Sequence, residues 1–323
     1  MKRGSLFLFI LTVFLITTLG NAFALDSPLK VGWVIGSDQN NTTVILHTRN
    51  GGQTWQVQVD NPVWKGCNDI SAVDRHTAWA AVGDASGNGV ILHTTNGGAT
   101  WFEQKVPHGL DPIKNIKGLS RLEAWAVSLK GTILHTTDGG ETWNIVDPEV
   151  PITLVNRMDA IGCVDPHNAV KPGKNKLMSN ANIWIVDEYP EDHASGMIHS
   201  LYNGELWRQE NNVPNPPDNG MHMVSAYSPR VVWAATTLYS FLYRTVNGGE
   251  SWEEVANVEG GPNDIDDMCA PSPDTVWGVQ NLDRNAGEIF HVRVFNAGEP
   301  VIRDFNPAAD LDPSLGCRYE GLT

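Results

Sequence analysis

The chain has 323 residues and a formal net charge of −15 at neutral pH. A chain this acidic repels nucleic acid and anionic lipid, so neither is an expected partner, and cations or basic patches on other proteins are favoured. The length would suit two average domains, but all-β units of this size often form a single domain, which is what we predict here.

The N-terminus has the pattern of a secretory signal peptide. Lys2 and Arg3 precede an apolar run, Leu6–Leu19, and small residues follow at Ala22 and Ala24. We therefore expect residues 1–24 to be removed, which would change the net charge from −15 to −17. The remaining domain, residues 25–323, would be periplasmic or secreted, without stable membrane insertion. A retained membrane anchor is the alternative, although the run is short of the ~20 apolar residues that a span needs.

A short phrase recurs along the rest of the chain. Its pattern is ILHT-x-[ND]-GG-x-TW, and six stretches carry it or a weaker version of it: Ile45–Trp55, Ile91–Trp101, Ile133–Trp143, Ile198–Trp207, Leu242–Trp252 and Ile289–Gly298. A second tryptophan precedes each copy, at spacings of 46, 46, 59, 49 and 44 residues: Trp33, Trp79, Trp125, Trp184, Trp233 and Trp277. Self-similarity at about 40–50 residues is typical of propeller blades.

The third copy shows the strand content of one repeat. Within Lys114–Val146, four strand-like runs, IKNIKGLS, AWAVSL, TILHT and ETWNIV, are separated by short turns. Such runs predict antiparallel hairpins. Four strands in each period make a propeller blade, so the fold class predicted is all-β.

The turn T-x-[ND]-G-G-x-[TS]-W has a structural explanation. Its Asn or Asp is expected to accept backbone N–H groups two residues on, its glycines to adopt positive φ, and its Trp to bury its ring and satisfy its indole N–H. We interpret the turn as a hairpin staple, with a ligand role as the alternative. The residues concerned are Asn50, Trp55, Asn96, Trp101, Asp138, Trp143, Asn247 and Trp252. The recurring histidines of the ILHT strand, His47, His93 and His135, are interpreted as strand residues rather than metal ligands.

The turn resembles the Asp box of BNR repeats, whose general form is S/T-x-D-x-G-x-x-W. The wider pattern, A-W-A-V-x…G-x-I-L-x-T-x-D-G-G-x-T-W, resembles the photosystem II stability and assembly factor family. The resemblance covers Val31 to about Gly298 and implies a β-propeller. Asp boxes also occur in sialidases, xyloglucan-cleaving enzymes and sortilin-type receptors, so it implies no single function. The photosynthetic members have seven blades and a basic patch, whereas this chain shows six repeats and is acidic.

The number of repeats predicts one ring of six four-stranded blades. The first repeat begins at its second strand, Val31–Gly36, and we expect the C-terminal segment Ser314–Leu322 to supply the missing inner strand and close the ring. Seven blades are the alternative, which would require a blade hidden in Asp147–Ala181.

In a propeller with this strand order, the glycine turns and the inner-to-second turns lie on one face. The other face carries the loops between strands two and three and the loops between blades, and rigidly held loops are where function concentrates. Many of these loops are acidic, and they supply our candidate residues for binding a protein partner: Asp84, Glu188, Glu191, Asp192, Asp264, Asp267 and Asp283.

Three further features have competing interpretations. Asp187, Glu188, Glu191 and Asp192 are candidates for a metal site that would suit Ca²⁺, with a solvated loop as the alternative. Asp69, Asn115 and Asp267 each precede a leading tryptophan by about ten residues. We expect these side chains either to lie around the mouth of the central channel or to cap the starts of the inner strands. The four cysteines, Cys67, Cys163, Cys269 and Cys317, permit one disulfide or buried thiols.

The function predicted is that of an exported, non-enzymatic propeller that binds a protein partner with a basic patch, as a scaffold or assembly factor without a cofactor. No G-x-S-x-G, H-E-x-x-H or phosphate-binding glycine loop is present in the sequence. The alternative is a glycan-binding or glycoside-hydrolysing propeller of the sialidase-like type. Such a site needs exposed aromatic residues beside carboxylates in a concave pocket, and Tyr189 is the main aromatic residue in the loops.

Overall fold

A computed structural model describes residues 14–15, 31–146, 155–162, 181–187, 198–202, 206–210, 221–236, 241–257, 265–283, 286–294 and 300–304. All of the secondary-structure elements in these ranges are β-strands. Within them, no helix is long and apolar enough to span a membrane. The prediction of an all-β chain is confirmed, and we number its repeats 1 to 6 by their leading tryptophans.

Repeats 1 and 2 share one antiparallel sheet in which neighbours along the chain are neighbours in space. Its strands are β1 (Phe14–Leu15), β2 (Gly32–Ser37), β3 (Thr42–Thr48), β4 (Gln56–Ala72), β5 (Ala78–Gly83), β6 (Gly89–Thr94) and β7 (Phe102–Glu103). Strand β4 serves both repeats, because its first part pairs with β3 and its second part pairs with β5.

The edge of β2 is paired with residues of the N-terminal apolar run. Phe14 lies opposite Trp33, and Leu15 lies opposite Gly32. This is the position that we predicted for Ser314–Leu322, which lies outside the described residues. Removal of residues 1–24 would free the edge, so closure by the C-terminal strand stays a prediction.

Repeats 3 to 6 each form a separate four-stranded antiparallel sheet in chain order. Their strands are β8 (Ile113–Gly118), β9 (Ala124–Ser128), β10 (Ile133–Thr136), β11 (Asn144–Val146), β12 (Val155–Gly162), β13 (Ala181–Asp187), β14 (Ile198–Tyr202), β15 (Leu206–Glu210), β16 (Met221–Ala226), β17 (Val232–Thr236), β18 (Phe241–Thr245), β19 (Glu253–Asn257), β20 (Ile265–Ser272), β21 (Thr275–Asp283), β22 (Ala286–Val294) and β23 (Pro300–Asp304). The four strands predicted for one repeat are therefore confirmed in repeat 3.

In repeats 1 to 3, the leading tryptophan lies against the histidine of the ILHT strand, and in repeats 2 and 3 the two rings are stacked. Trp79 is fully buried and faces His93 in the register, with ring centroids 3.5 Å apart and ring planes 2° from parallel. In repeat 5, Arg244 takes the place of the histidine and lies 5.5 Å from the centre of the Trp233 ring. The equivalent pairs elsewhere are Trp33–His47 and Trp125–His135. The histidines are thus strand residues, as predicted.

The described chain divides into two compact units. One contains the described residues up to Val146, and the other contains those from Val155 to Asp304. The first has cores around Trp33 and Trp79, and the second has cores around Trp184 and Trp233. Each core combines apolar residues from neighbouring repeats, which is how stacked repeats bury a surface that one repeat could not bury alone.

Candidate functional site

The four glycine turns are held by hydrogen bonds within the turn. In repeat 2, Asn96 Oδ1 accepts the backbone N–H of Thr100 at 3.0 Å and the hydroxyl of Thr94 at 3.0 Å. The same bonds recur around Asn50, Asp138 and Asn247. The side chain therefore reaches four residues on, and the predicted reach of two residues is wrong. The predicted positive φ is confirmed for both glycines of all four turns.

The second glycine of a turn makes room for the preceding repeat. A Cβ atom on Gly98 would lie 1.7 Å from Oε1 of Gln58, and one on Gly140 would lie 2.0 Å from Oε1 of Gln104. Gln58 is in the outer strand of repeat 1, where its Nε2 donates to the carbonyl of Gly97 at 2.7 Å. The glycine turn is thus a contact between successive repeats.

Trp101 confirms the prediction for its indole N–H, which donates to Oε1 of Gln58 at 3.4 Å, but the other turn tryptophans depart from the prediction in two ways. Trp143 and Trp252 are buried as expected, but within the described residues their indole N–H groups have no acceptor. Each packs edge-on against the leading tryptophan of the preceding repeat, Trp79 or Trp184. Trp55 is 39% exposed, because repeat 1 has no preceding repeat within its unit.

Within each unit, the glycine turns lie beside the inner-to-second turns, and we call these turns the turn face of that unit. Gly97 N–H donates to the carbonyl of His76 at 2.8 Å, and Gly139 N–H donates to that of Leu122 at 2.9 Å. In the second unit, Gly248 N–H donates to the carbonyl of Arg230 at 2.9 Å. The predicted adjacency of these two sets of turns is confirmed in repeats 2, 3 and 5.

Asp69 and Asn115, predicted at equivalent inner-strand positions, are brought together by the fold. Both are buried, and Asn115 Nδ2 donates to Asp69 Oδ2 at 3.4 Å. Asp69 also accepts the backbone N–H of Ile70 at 2.9 Å and that of Ile116, in the next repeat, at 3.0 Å. This carboxylate joins the inner strands of repeats 2 and 3. Asp267 lies in β20, but its side chain is outside the described part.

The opposite ends of the strands form a second surface in the first unit, which we call the loop face. It comprises the loops Gly36–Thr42 and Gly83–Gly89, the middle of β4 (residues 60–66), where the chain passes from repeat 1 to repeat 2, and the connection of residues 104–112. Gly66 N–H donates to the carbonyl of Asn41 at 3.0 Å, and Gly89 N–H donates to that of Leu110 at 3.1 Å. The prediction that these two kinds of loop share a face is therefore confirmed within this unit.

Each loop is braced by an aspartate. Asp84 accepts the backbone N–H groups of Ser86 and Asn88 at 2.8 and 2.9 Å, and the Asn88 side chain at 2.8 Å. These hydrogen bonds hold the pKa of Asp84 below its usual value. Asp38 accepts backbone N–H groups in the first loop in the same way. Both loops are consequently pre-organised.

A cleft of about 410 Å³ opens on the loop face between the Gly83–Gly89 loop and the connection after β7. Its walls carry the charged or titratable groups of Asp84, Glu103, Lys105 and His108. Trp64 does not line the cleft, but its indole N–H donates to Oε2 of the wall residue Glu103 at 3.1 Å. The sequence analysis missed Trp64 and Glu103, because neither belongs to the recurring phrase and they are 39 residues apart.

The other candidate residues are only partly within the described ranges. Glu188, Glu191, Asp192 and Asp264 lie outside them, as do the side chains of Asp187, Asp267 and Asp283. The described residues contain no group of three or more metal-ligating side chains, so the Ca²⁺ site stays a prediction. Cys269 is disulfide-bonded, whereas Cys67 is a free thiol whose pKa is raised by burial.

Comparison with known proteins identifies the fold. Neither a family model nor a curated protein matches the sequence. Among solved structures, the chain is similar to YCF48 from Cyanidioschyzon merolae, with 17% identity, 89% of this chain and 84% of that chain covered, and a TM-score of 0.56. It is also similar to a protein from Lactobacillus plantarum, with 9% identity, 84% and 81% covered, and a TM-score of 0.56.

A third similar structure is the GH74 xyloglucanase from Xanthomonas campestris. The identity is 16%, with 83% of this chain but only 43% of the enzyme covered, and the TM-score is 0.55. Likenesses at this level of identity show the fold alone. The chain therefore has a β-propeller fold resembling that of YCF48, a photosystem II assembly factor.

Proposed function

We propose that this chain is an exported, non-enzymatic β-propeller that binds a protein partner through its loop face and acts as a scaffold or assembly factor. The observation that carries the proposal is that the turns at the two ends of the strands make different hydrogen bonds. At the turn face, the glycine turns are occupied in bonds to their own repeat and to the preceding repeat. At the loop face, loops of different sequence are held rigid by their own aspartates.

Rigid loops of varied sequence on a repeated scaffold are suited to recognition, because binding then costs little ordering entropy. In the proposal, the same arrangement extends to the later repeats, whose loops carry Glu188, Glu191, Asp192, Asp264, Asp267 and Asp283. Because this chain has a formal net charge of −15, a partner with a basic patch is favoured. If these loops hold Ca²⁺ instead, a chelator would lower the melting temperature.

The non-enzymatic part of the proposal is supported by the sequence, which lacks the nucleophile and metal motifs of common hydrolases. The fold does not decide this point, because similar structures include both YCF48 and a xyloglucanase. Export is supported by the pattern of residues 1–24. N-terminal sequencing of the protein recovered outside the cytoplasm is expected to begin at Leu25, and an intact N-terminus would refute cleavage.

The test is a reconstituted complex. Cross-linking in the extracytoplasmic fraction would identify a partner, which would then be purified and its binding kinetics measured between 50 and 500 mM NaCl. We expect the association rate to fall about tenfold or more over this range while dissociation changes less, because salt screens the attraction between the acidic loops and the basic patch. An association rate that does not depend on salt would refute the electrostatic mechanism, and absence of any partner would refute the scaffold function.

A further inference from the structure

We propose that the cleft on the loop face of repeat 2 is a binding site for a neutral, hydroxyl-rich ligand of the oligosaccharide class. The cleft is part of the loop face that we propose for docking, but binding of a sugar does not require the protein partner and is measured without it. Its volume, about 410 Å³, is within the range of roughly 300–1,000 Å³ that is typical of small-molecule sites.

The polar side chains of the cleft include both hydrogen-bond donors and hydrogen-bond acceptors that are available to a ligand. Within the described part of the chain, Oε1 of Glu103 and the side chains of Lys105 and His108 make no hydrogen bonds, and all three residues are exposed. Glu103 supplies an acceptor, Lys105 supplies donors, and His108 supplies one of each when it is neutral. A hydroxyl group both donates and accepts, so a polyol can satisfy all of them at once.

The charge of the walls argues against an ionic ligand. The carboxylates of Asp84 and Glu103 oppose an anion, while Lys105 opposes a cation. In addition, the Asp84 carboxylate already accepts three hydrogen bonds from its own loop, which leaves it little capacity for a cation. A neutral ligand avoids a like-charge contact with either sign, which makes it the chemistry that suits this set of side chains.

Trp64 is not one of the residues that line the cleft, but it supplies an aromatic ring next to the wall residue Glu103. Part of its ring packs against the core around Trp33, and the rest is accessible. The hydrogen bond from its indole N–H to Glu103 fixes the ring relative to the cleft. Carbohydrate C–H groups pack on the electron-rich face of such a ring, so an oligosaccharide that fills the cleft and extends past Glu103 would reach Trp64.

The test is calorimetric titration of the full chain with three neutral tetrasaccharides, cellotetraose, maltotetraose and chitotetraose. We expect at least one to bind with a Kd below about 1 mM. Trp64→Ala should weaken that binding about tenfold or more, and Trp64→Phe, which keeps an aromatic ring, should weaken it less. Trp55→Ala is the matched control, because it removes another partly exposed tryptophan that has no hydrogen bond to a residue of the cleft wall; a change under about twofold is expected.

A second variant separates a neutral ligand from a cationic one. Glu103→Gln keeps an acceptor for the Trp64 indole but removes the charge, so sugar binding should change by less than about threefold, whereas a site for a lysine or arginine side chain would lose about tenfold or more. Near-UV circular dichroism would establish that the variants fold. The proposal is overturned if none of the tetrasaccharides binds at 5 mM, roughly five times that Kd limit, or if Trp64→Ala and Trp55→Ala have equal effects.

Discussion

The buried carboxylate of Asp69 allows a direct test of how successive repeats are joined. Its two oxygens accept three hydrogen bonds, two of them from repeat 3. Asp69→Ala would leave the N–H groups of Ile70 and Ile116 and the amide of Asn115 without this acceptor in a site from which water is excluded. Each unsatisfied buried group lowers stability by about 1–3 kcal/mol. The variant no longer has to desolvate a carboxylate charge, and this gain offsets part of the loss. We expect the free energy of unfolding to fall by about 2–4 kcal/mol.

The matched control is Asp60→Ala, the same substitution in the same strand at an exposed position. It is expected to change stability by less than about 0.5 kcal/mol. Urea unfolding would be followed by tryptophan fluorescence and far-UV circular dichroism, because coincident transitions show whether one free energy describes the process. If Asp69→Ala and Asp60→Ala are equally stable, the carboxylate does not join the repeats in the way that the hydrogen bonds indicate.

The remaining predictions concern the turns and the buried histidines. Alanine at Asn50, Asn96, Asp138 or Asn247 should each lower stability by roughly 0.5–2 kcal/mol, by analogy with lost helix caps, and leave partner binding intact; loss of binding at an unchanged melting temperature would refute the staple for that repeat. Hydrogen bonds from Thr142 lower the pKa of Asp138 to about 2. The ionised side chain therefore adds to the free energy of unfolding above the unfolded pKa near 4, and this stabilisation should be lost as the pH falls from about 4 to 2. The acid unfolding curve of Asp138→Asn should lack this loss. Burial lowers the pKa of His93 to about 4, so the unfolded state binds more protons below its own pKa of about 6.5. Stability should therefore decline from about pH 6.5 to 4, and His93→Phe should shift acid unfolding to lower pH; an unchanged midpoint would contradict the burial argument.

The features that the sequence predicts well are local ones. Positive φ at Gly97 and Gly98 follows from turn chemistry within a few residues, and the four strands of repeat 3 follow from alternation between turns. The face shared by the loops of the first unit follows from strand order alone. None of these three features depends on which side chains of one repeat contact those of the next.

The features that it predicts poorly depend on contacts between repeats. The burial of Trp143 and the exposure of Trp55 differ because one has a preceding repeat to pack against and the other does not within its unit. The pairing of Trp64 with Glu103 arises from two segments outside the recurring phrase. The prediction that the Asn96 side chain bonds two residues on was wrong, because the residue that it meets depends on how tightly the two glycines fold the turn.

The central claim, that the acidic loops rather than the turn face bind a protein partner, is tested most directly by comparing two charge reversals of equal size. Glu188→Lys with Glu191→Lys changes the loops, and Glu141→Lys with Glu250→Lys changes exposed positions in the glycine turns. Association rates with the reconstituted partner would be measured for both at low salt. We expect the first pair to slow association roughly fivefold or more and the second to change it by less than about twofold. Equal effects, or a larger effect of the turn substitutions, would contradict the assignment of the loops as the docking surface.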